Sequence, residues 1–155
     1  MPARSTTAPS AVRGFTLIEV LVALVVMSVG MLGIAALYLE GLRAGRTAIY
    51  RTTAVNLAAD MADRIRANQR AGNAYAGNGP GADQSCVNGD EDCTPAELAS
   101  DDWFSWSSQI DAQLPEGASA EILASAGPAP VYTITLRWPE IGQTEAASYS
   151  LSLQP

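Results

Sequence analysis

The sequence predicts an α+β fold: a long N-terminal α-helix, membrane-spanning in its first half, packed on a small antiparallel β-sheet head with one additional helix. Three observations predict it. Residues 13–40, RGFTLIEVLVALVVMSVGMLGIAALYLE, carry no charge from Val20 to Leu39. No proline occurs between Phe15 and Gly79, so nothing forbids one helix from continuing past the apolar run. Near the C-terminus, apolar and polar residues alternate with the period of half-buried strands. The expected organisation is a leader at 1–14, a transmembrane helix at 15–40, the soluble half of that helix at 41–70, and a globular head at 71–155.

The leader, MPARSTTAPSAVRG, holds two prolines, two arginines and almost no large apolar side chain. It reads as a targeting segment. Twenty helical residues from Val20 to Leu39 would extend about 30 Å, enough to cross a bilayer core. A secretory signal is cut after its apolar core, at small residues. Here ALYLEGLRAGR continues the helix pattern, and the sharper break precedes the core at Arg13-Gly14-Phe15. Arg4 and Arg13 lie before the span, and Arg43, Arg46 and Arg51 after it. The positive-inside count therefore does not set the topology. The cysteines and the leader favour a head outside the cytoplasm. Glu19 stands just inside the start of the span. An acid in a first turn gains about 0.3–1 kcal/mol from the helix dipole. Away from water an unpaired carboxylate costs several kcal/mol, so its position asks for a partner.

Gly14, then Phe15-Thr16-Leu17-Ile18-Glu19 and an unbroken apolar run, resembles the prepilin signature of type IV pilins and pseudopilins. That resemblance implies cleavage by prepilin peptidase between Gly14 and Phe15, N-methylation at Phe15, and retention of the apolar helix in the product. It also implies that Glu19 pairs with the Phe15 amine of a neighbouring subunit during assembly. The segment LAADMADRIRANQ, Leu57 to Gln69, is similar to the minor pilins of the type IV pilus modification protein PilV family. The implied role is priming of pilus assembly, near the pilus tip. The implied partners are prepilin peptidase, other minor pilins, the major pilin and the inner membrane. A minor pseudopilin of a type II secretion system shares the leader, the acid and the small head. A tip-borne binding module around the cysteine loop is a third reading.

Past the span, Ala54, Leu57, Ala58, Met61 and Ile65 recur at helical spacing and form a stripe for packing on a sheet. Asp60 and Arg64 form an i,i+4 pair expected on the exposed side. Arg66, Asn68, Gln69 and Arg70 make a basic last turn, and Gly72 is the expected stop. Gly30, Gly33, Gly41 and Gly45 interrupt the helix, the last two at GxxxG spacing, which permits close helix approach. Major pilins usually carry a proline in this region, and this chain has none.

Residues 71–94 are rich in Gly, Asn and Asp, and read as a long loop ordered by a Cys86–Cys93 disulfide. Closing so short a loop contributes roughly 2–3 kcal/mol in the chain-entropy account. The bridge implies an oxidising compartment. The enclosed Asp90, Glu91 and Asp92 could attract calcium, although the spacing is not that of an EF-hand. Thr94-Pro95-Ala96-Glu97 starts a helix, with a threonine cap, proline at the first position and a glutamate three after the cap. Leu98, Trp103, Trp106, Ile110 and Leu114 line one face of it. Pro115 and Gly117 end it, and the two tryptophans read as core anchors rather than a ligand box, with Trp103 the one to watch for surface exposure. Strands are expected weakly at Ala118–Ala124 and strongly at Val131–Trp138 and Ala147–Leu153, with turns at Gly127-Pro128 and Gly142.

The chain has 155 residues with no histidine and no lysine. That excludes histidine-based nucleophile systems, Schiff-base chemistry and a P-loop. No catalytic residue, cofactor or metal is expected. After loss of the leader, seven arginines face sixteen acids, and Arg137 is the only base beyond Arg70. Such an acidic head repels phosphate backbones, so direct nucleic-acid binding is not expected.

Overall fold

The computed structural model describes residues 14–87, 92–127, 130–140 and 142–155. Residues 1–13 of the leader, with Arg4 and Arg13, the calcium candidates Asp90 and Glu91, and Pro128 of the expected turn lie outside the described residues. Helix α1 spans Leu17–Ala67, α2 spans Pro95–Gln113, and strands β1, β2 and β3 span Ser119–Ala124, Tyr132–Trp138 and Ala147–Leu153. The chain forms two compact units, Met1–Leu42 and Arg43–Pro155.

The first unit is helical from Leu17 onward, and its large apolar side chains are exposed throughout. The absence of proline and the many straight-chain and branched apolar residues account for the helix. Within it, Ser28 Oγ donates to Leu24 O at 2.7 Å, which satisfies that hydroxyl inside the helix.

The second unit has a core of α1, α2 and the sheet. Ala54, Leu57, Ala58, Met61, Ala62 and Ile65 are the buried residues of α1. They share one hydrophobic cluster with Trp103, Trp106 and Ile110 of α2 and with Ile122, Tyr132, Ile134, Leu136 and Trp138 of the sheet. Each large side chain fully buried here contributes roughly 1.5–3 kcal/mol relative to exposure. The stripe on α1 thus meets α2 as well as the sheet. Trp106 Nε1 donates to Leu57 O at 2.9 Å.

Helix α2 begins as its sequence dictates. Glu97 N donates to Thr94 Oγ1 at 3.3 Å, and Thr94 N donates to the Glu97 carboxylate at 2.8 Å, a complete capping box. The Thr94 N–H first, and then the Thr94 hydroxyl, which also donates to the carboxylate at 2.7 Å, hold the Glu97 carboxyl below its ordinary range. On this helix Ala99 is buried and Leu98 only half-buried. Trp103 is 4% exposed and Trp106 fully buried, so both tryptophans are core anchors, as their spacing suggests. Its indole packs edge-on to Trp106, with centroids 5.2 Å apart, and donates to Tyr75 O.

The sheet is antiparallel in the order β1-β2-β3, with Ile122 opposite Ile134 and Ile134 opposite Leu151. Alternation sends Tyr132, Ile134, Leu136 and Trp138 to the core. The other face carries Thr133–Ser152 and Thr135–Ser150 hydroxyl pairs at 3.1 and 3.0 Å, and an Arg137–Glu121 ion pair at 3.1 Å. The weakest strand candidate is a strand from Ser119, because its Ile122 is fully buried.

Candidate functional site

The start of α1 is built by Thr16. Its main-chain carbonyl accepts from Glu19 N at 3.1 Å and from Val20 N at 3.3 Å, and its hydroxyl accepts from Glu19 N at 3.4 Å. Thr16 therefore satisfies donors that a helix N-terminus leaves open. Glu19 lies in the first turn, among exposed residues. Its carboxylate has no hydrogen-bond or ion-pair partner among the described residues. Phe15 is 84% and Leu17 87% exposed. The best eighteen-residue window of α1 has a mean hydropathy of 2.7 and none of it is buried, so by length and composition this helix can cross a membrane. Gly14, Phe15 and Glu19 thus sit together at the mouth of an uncovered apolar helix. A side chain added at Gly41 or Gly45 would meet open space.

A second concentration of polar groups lies in the 43–155 unit. Arg64 Nε donates to Asp60 Oδ2 at 2.9 Å, as its spacing predicts. Its Nη1 also donates to Asp102 Oδ1 at 3.0 Å, across from α2. The solvated face expected for Arg64 is therefore corrected. The guanidinium is largely covered and joins α1 to α2. Burial would lower its pKa, but the bonds to Asp102 and Asp60 outweigh this and raise it. The Tyr75 hydroxyl donates to Asp102 Oδ2 at 2.5 Å and accepts from Asn68 Nδ2 at 3.2 Å. Burial first, and then the bond to Asp102, push the Tyr75 pKa well above the ordinary tyrosine range. Asp102, 7% exposed, is thus paired on both oxygens, as a buried carboxylate must be.

This network corrects the reading of residues 71–94. Helix α1 stops at Ala67, before Gly72, and a 3₁₀ turn, Gln69–Tyr75, follows with Gly72 at φ 53° inside it. The chain is then tied down at intervals. Tyr132 Oη donates to Gly72 O at 2.5 Å. Gly77 and Ile122 exchange main-chain bonds of 2.8 and 2.7 Å. Gln84 N donates to the buried Asp101 Oδ1 at 2.7 Å. Gly81 lies against α2, where a Cβ would collide with Ser100 O and with Trp103 Cβ. Packing on α2 and β1 orders the segment up to Gln84. The Cys86–Cys93 disulfide closes the stretch after it.

Sequence reasoning missed Tyr75, Asp102 and Gly81. Tyr75 had a signal: it is the one bulky side chain within GNAYAGNG. Asp102 had none, since its partner Arg64 is 38 residues away.

Residues 36–104 match the model of the Tt1218-like family, described as type IV pilin Tt1218. Residues 9–35 match the prokaryotic N-terminal methylation motif. Over residues 9–104 the chain is thus similar to type IV pilins and to their N-terminal methylation motif. Its long N-terminal helix, three-stranded antiparallel sheet and second helix agree with a pilin fold. Gly14, Phe15 and Glu19 fall within the methylation motif, and the Arg64–Asp102–Tyr75 network within the pilin segment. The three strands lie beyond both matches. No curated protein and no solved structure matches the chain.

Proposed function

We propose that this pilin is a minor pilin of the PilV type, a structural subunit that takes part in priming type IV pilus assembly. Prepilin peptidase cuts between Gly14 and Phe15, and Phe15 becomes the N-methylated first residue. The helix at 15–40 holds the subunit in the inner membrane, with residues 71–155 as a periplasmic head. It is then drawn into the filament near the tip, beside other minor pilins and the major pilin. Glu19 pairs there with the Phe15 amine of a neighbour. The chain acts by assembly and not by catalysis.

The observation that carries this reading is the methylation motif opening into a helix with a membrane-length apolar stretch that is uncovered. Such a surface needs lipid or neighbouring helices to cover it. The carboxylate of Glu19 fits the second environment, where an amine can meet it.

The test is mass spectrometry of sheared, purified filaments. The expected result is peptides of this chain at substoichiometric level, with an N-terminal peptide that starts at methylated Phe15. Filaments free of the chain, or a chain that still begins upstream of Gly14, would sink the reading. Loss of protein secretion on deletion, with pili intact, would instead assign it to a type II secretion system.

A further inference from the structure

Charge is segregated along this chain. Helix α1 carries no charged residue from Val20 to Leu39, and no acid occurs from Gly41 to Ala59. That second stretch holds Arg43, Arg46 and Arg51 instead. From Asp60 onward fourteen acids face four arginines. The basic stretch thus follows directly on the apolar run, and the acids lie beyond it. Arg43 and Arg46 are exposed, and Arg46 has no hydrogen-bond or ion-pair partner among the described residues. Arg51 is 66% exposed and approaches Glu140 Oε2 at 4.0 Å.

Spacing separates the three arginines. All lie within α1. At the helical rise, Arg43 stands about 6 Å past Leu39, Arg46 about 10 Å and Arg51 about 18 Å. The headgroup layer on each side of a bilayer core is roughly 5–7 Å deep. Side chains on a helix tilt toward its N-terminus, here back toward the apolar run, and an arginine stem lets the charge reach along it. Arg43 and Arg46 therefore fall at headgroup depth when the apolar run fills the core, and Arg51 falls outside it. Tyr38, 69% exposed at the end of the run, is an independent mark of the same boundary. Tyrosine favours the level at which its ring meets lipid and its hydroxyl meets water.

We propose that Arg43 and Arg46 form a collar that binds the phosphates of anionic lipid headgroups, in the leaflet on the side of the head. A guanidinium presents a planar fork of donors that fits two phosphate oxygens, and it stays charged at any physiological pH. Cleavage after Gly14 would remove Arg4 and Arg13 and leave this pair as the cationic side chains nearest the span. The collar then fixes the depth of the helix from one end, and its contacts must break when the helix leaves the bilayer. The proposal rests on the membrane-anchor part of the function proposed above, and not on pilus assembly.

The test is electron spin resonance of the full chain in phosphatidylcholine vesicles that hold trace spin-labelled phosphatidylglycerol or, in parallel, spin-labelled phosphatidylcholine. The lipid retained at the protein surface is expected to favour phosphatidylglycerol by ~5-fold or more at low salt, and the preference should shrink as salt rises. Arg43→Gln combined with Arg46→Gln is expected to bring the preference close to one. Arg70→Gln, which removes an exposed charge far along the chain from the span, should leave it unchanged. Equal retention of the two lipids by the native chain, or an undiminished preference in the double variant, overturns the proposal. Filament incorporation that falls in the double variant, with no lipid preference in the native chain, would assign the arginines to an acidic surface of a neighbouring subunit and overturn it as well. A lipid preference in a chain absent from filaments would fault pilus assembly alone. A chain present in filaments but without lipid preference would fault the collar alone. Failure of the chain to float with the vesicles overturns both.

Discussion

Arg64 shows how a residue's role is settled by the partner that the sequence hides. Spacing pairs it with Asp60, four residues before it, and that pair forms. The bond to Asp102, from α2, turns it inward, and no local pattern announces a partner so far along the chain. Tyr75 completes the site, and its raised pKa has a definite consequence. The neutral hydroxyl is the form the fold favours, so its contribution is complete below the pKa of an unfolded tyrosine, about 10. It is lost as pH rises from there through the higher folded value. Urea unfolding at a series of alkaline pH values should therefore show stability falling above pH ~10 more steeply in the native chain than in Tyr75→Phe. Near neutral pH, Tyr75→Phe should cost ~1–3 kcal/mol, because one oxygen of a buried carboxylate loses its donor. Gly81 is fixed by a different constraint, a φ of +76° with α2 in close approach. Gly81→Ala combines an unfavourable backbone angle with a collision against main-chain atoms. It should cost at least ~2 kcal/mol by thermal or urea unfolding, and more than Gly142→Ala, where φ is also positive at +85° but an added Cβ meets open space.

Elements were legible wherever their cause is local. The α2 start is written in four residues, Thr94 to Glu97, and both capping bonds form. β2 and β3 follow from alternation alone. The α1 stripe from Ala54 to Ile65 was readable from its period, and its burial adds only Ala62. Residues 69–85 were not legible, because Gly, Asn and Ala declare no period and the anchors are supplied by α2, β1 and β2. The end of α1 was misplaced for the same reason: Gly72 lies inside the 3₁₀ turn and does not terminate the helix. The disulfide then has a narrower part than its position in a glycine-rich stretch suggests. A chain with both Cys86→Ser and Cys93→Ser should lose roughly 2–3 kcal/mol through the freed unfolded state. Its near-UV circular dichroism should nevertheless keep the Trp103–Trp106 signature, since Tyr75, Gly81 and Gln84 are held without the bridge. Loss of that signature would return the ordering role to the disulfide.

At the scale of the whole molecule, one unit has a buried core and the other has none among the described residues. Every large apolar residue from Leu17 to Leu42 is uncovered in the isolated subunit, and Glu19 is the only acid among its first twenty-three helical positions. A lipid environment would satisfy the leucines and valines equally well without the acid. Only an environment that also offers a cation gives Glu19 a return for its desolvation, and cleavage after Gly14 would create one such cation on every subunit. The consequence separates insertion from assembly. Glu19→Ala should leave membrane insertion and cleavage at Gly14 intact, because the apolar run and the cut site are unchanged. Incorporation into filaments should fall by ~10-fold or more, the loss expected when one partner of a desolvated ion pair is removed. The measurement is the ratio of this chain to major pilin in sheared filaments, set against its level in the membrane fraction. Undiminished incorporation of the Glu19→Ala chain would mean that the acid serves only the helix dipole, and that register in the filament is set by the apolar surface alone.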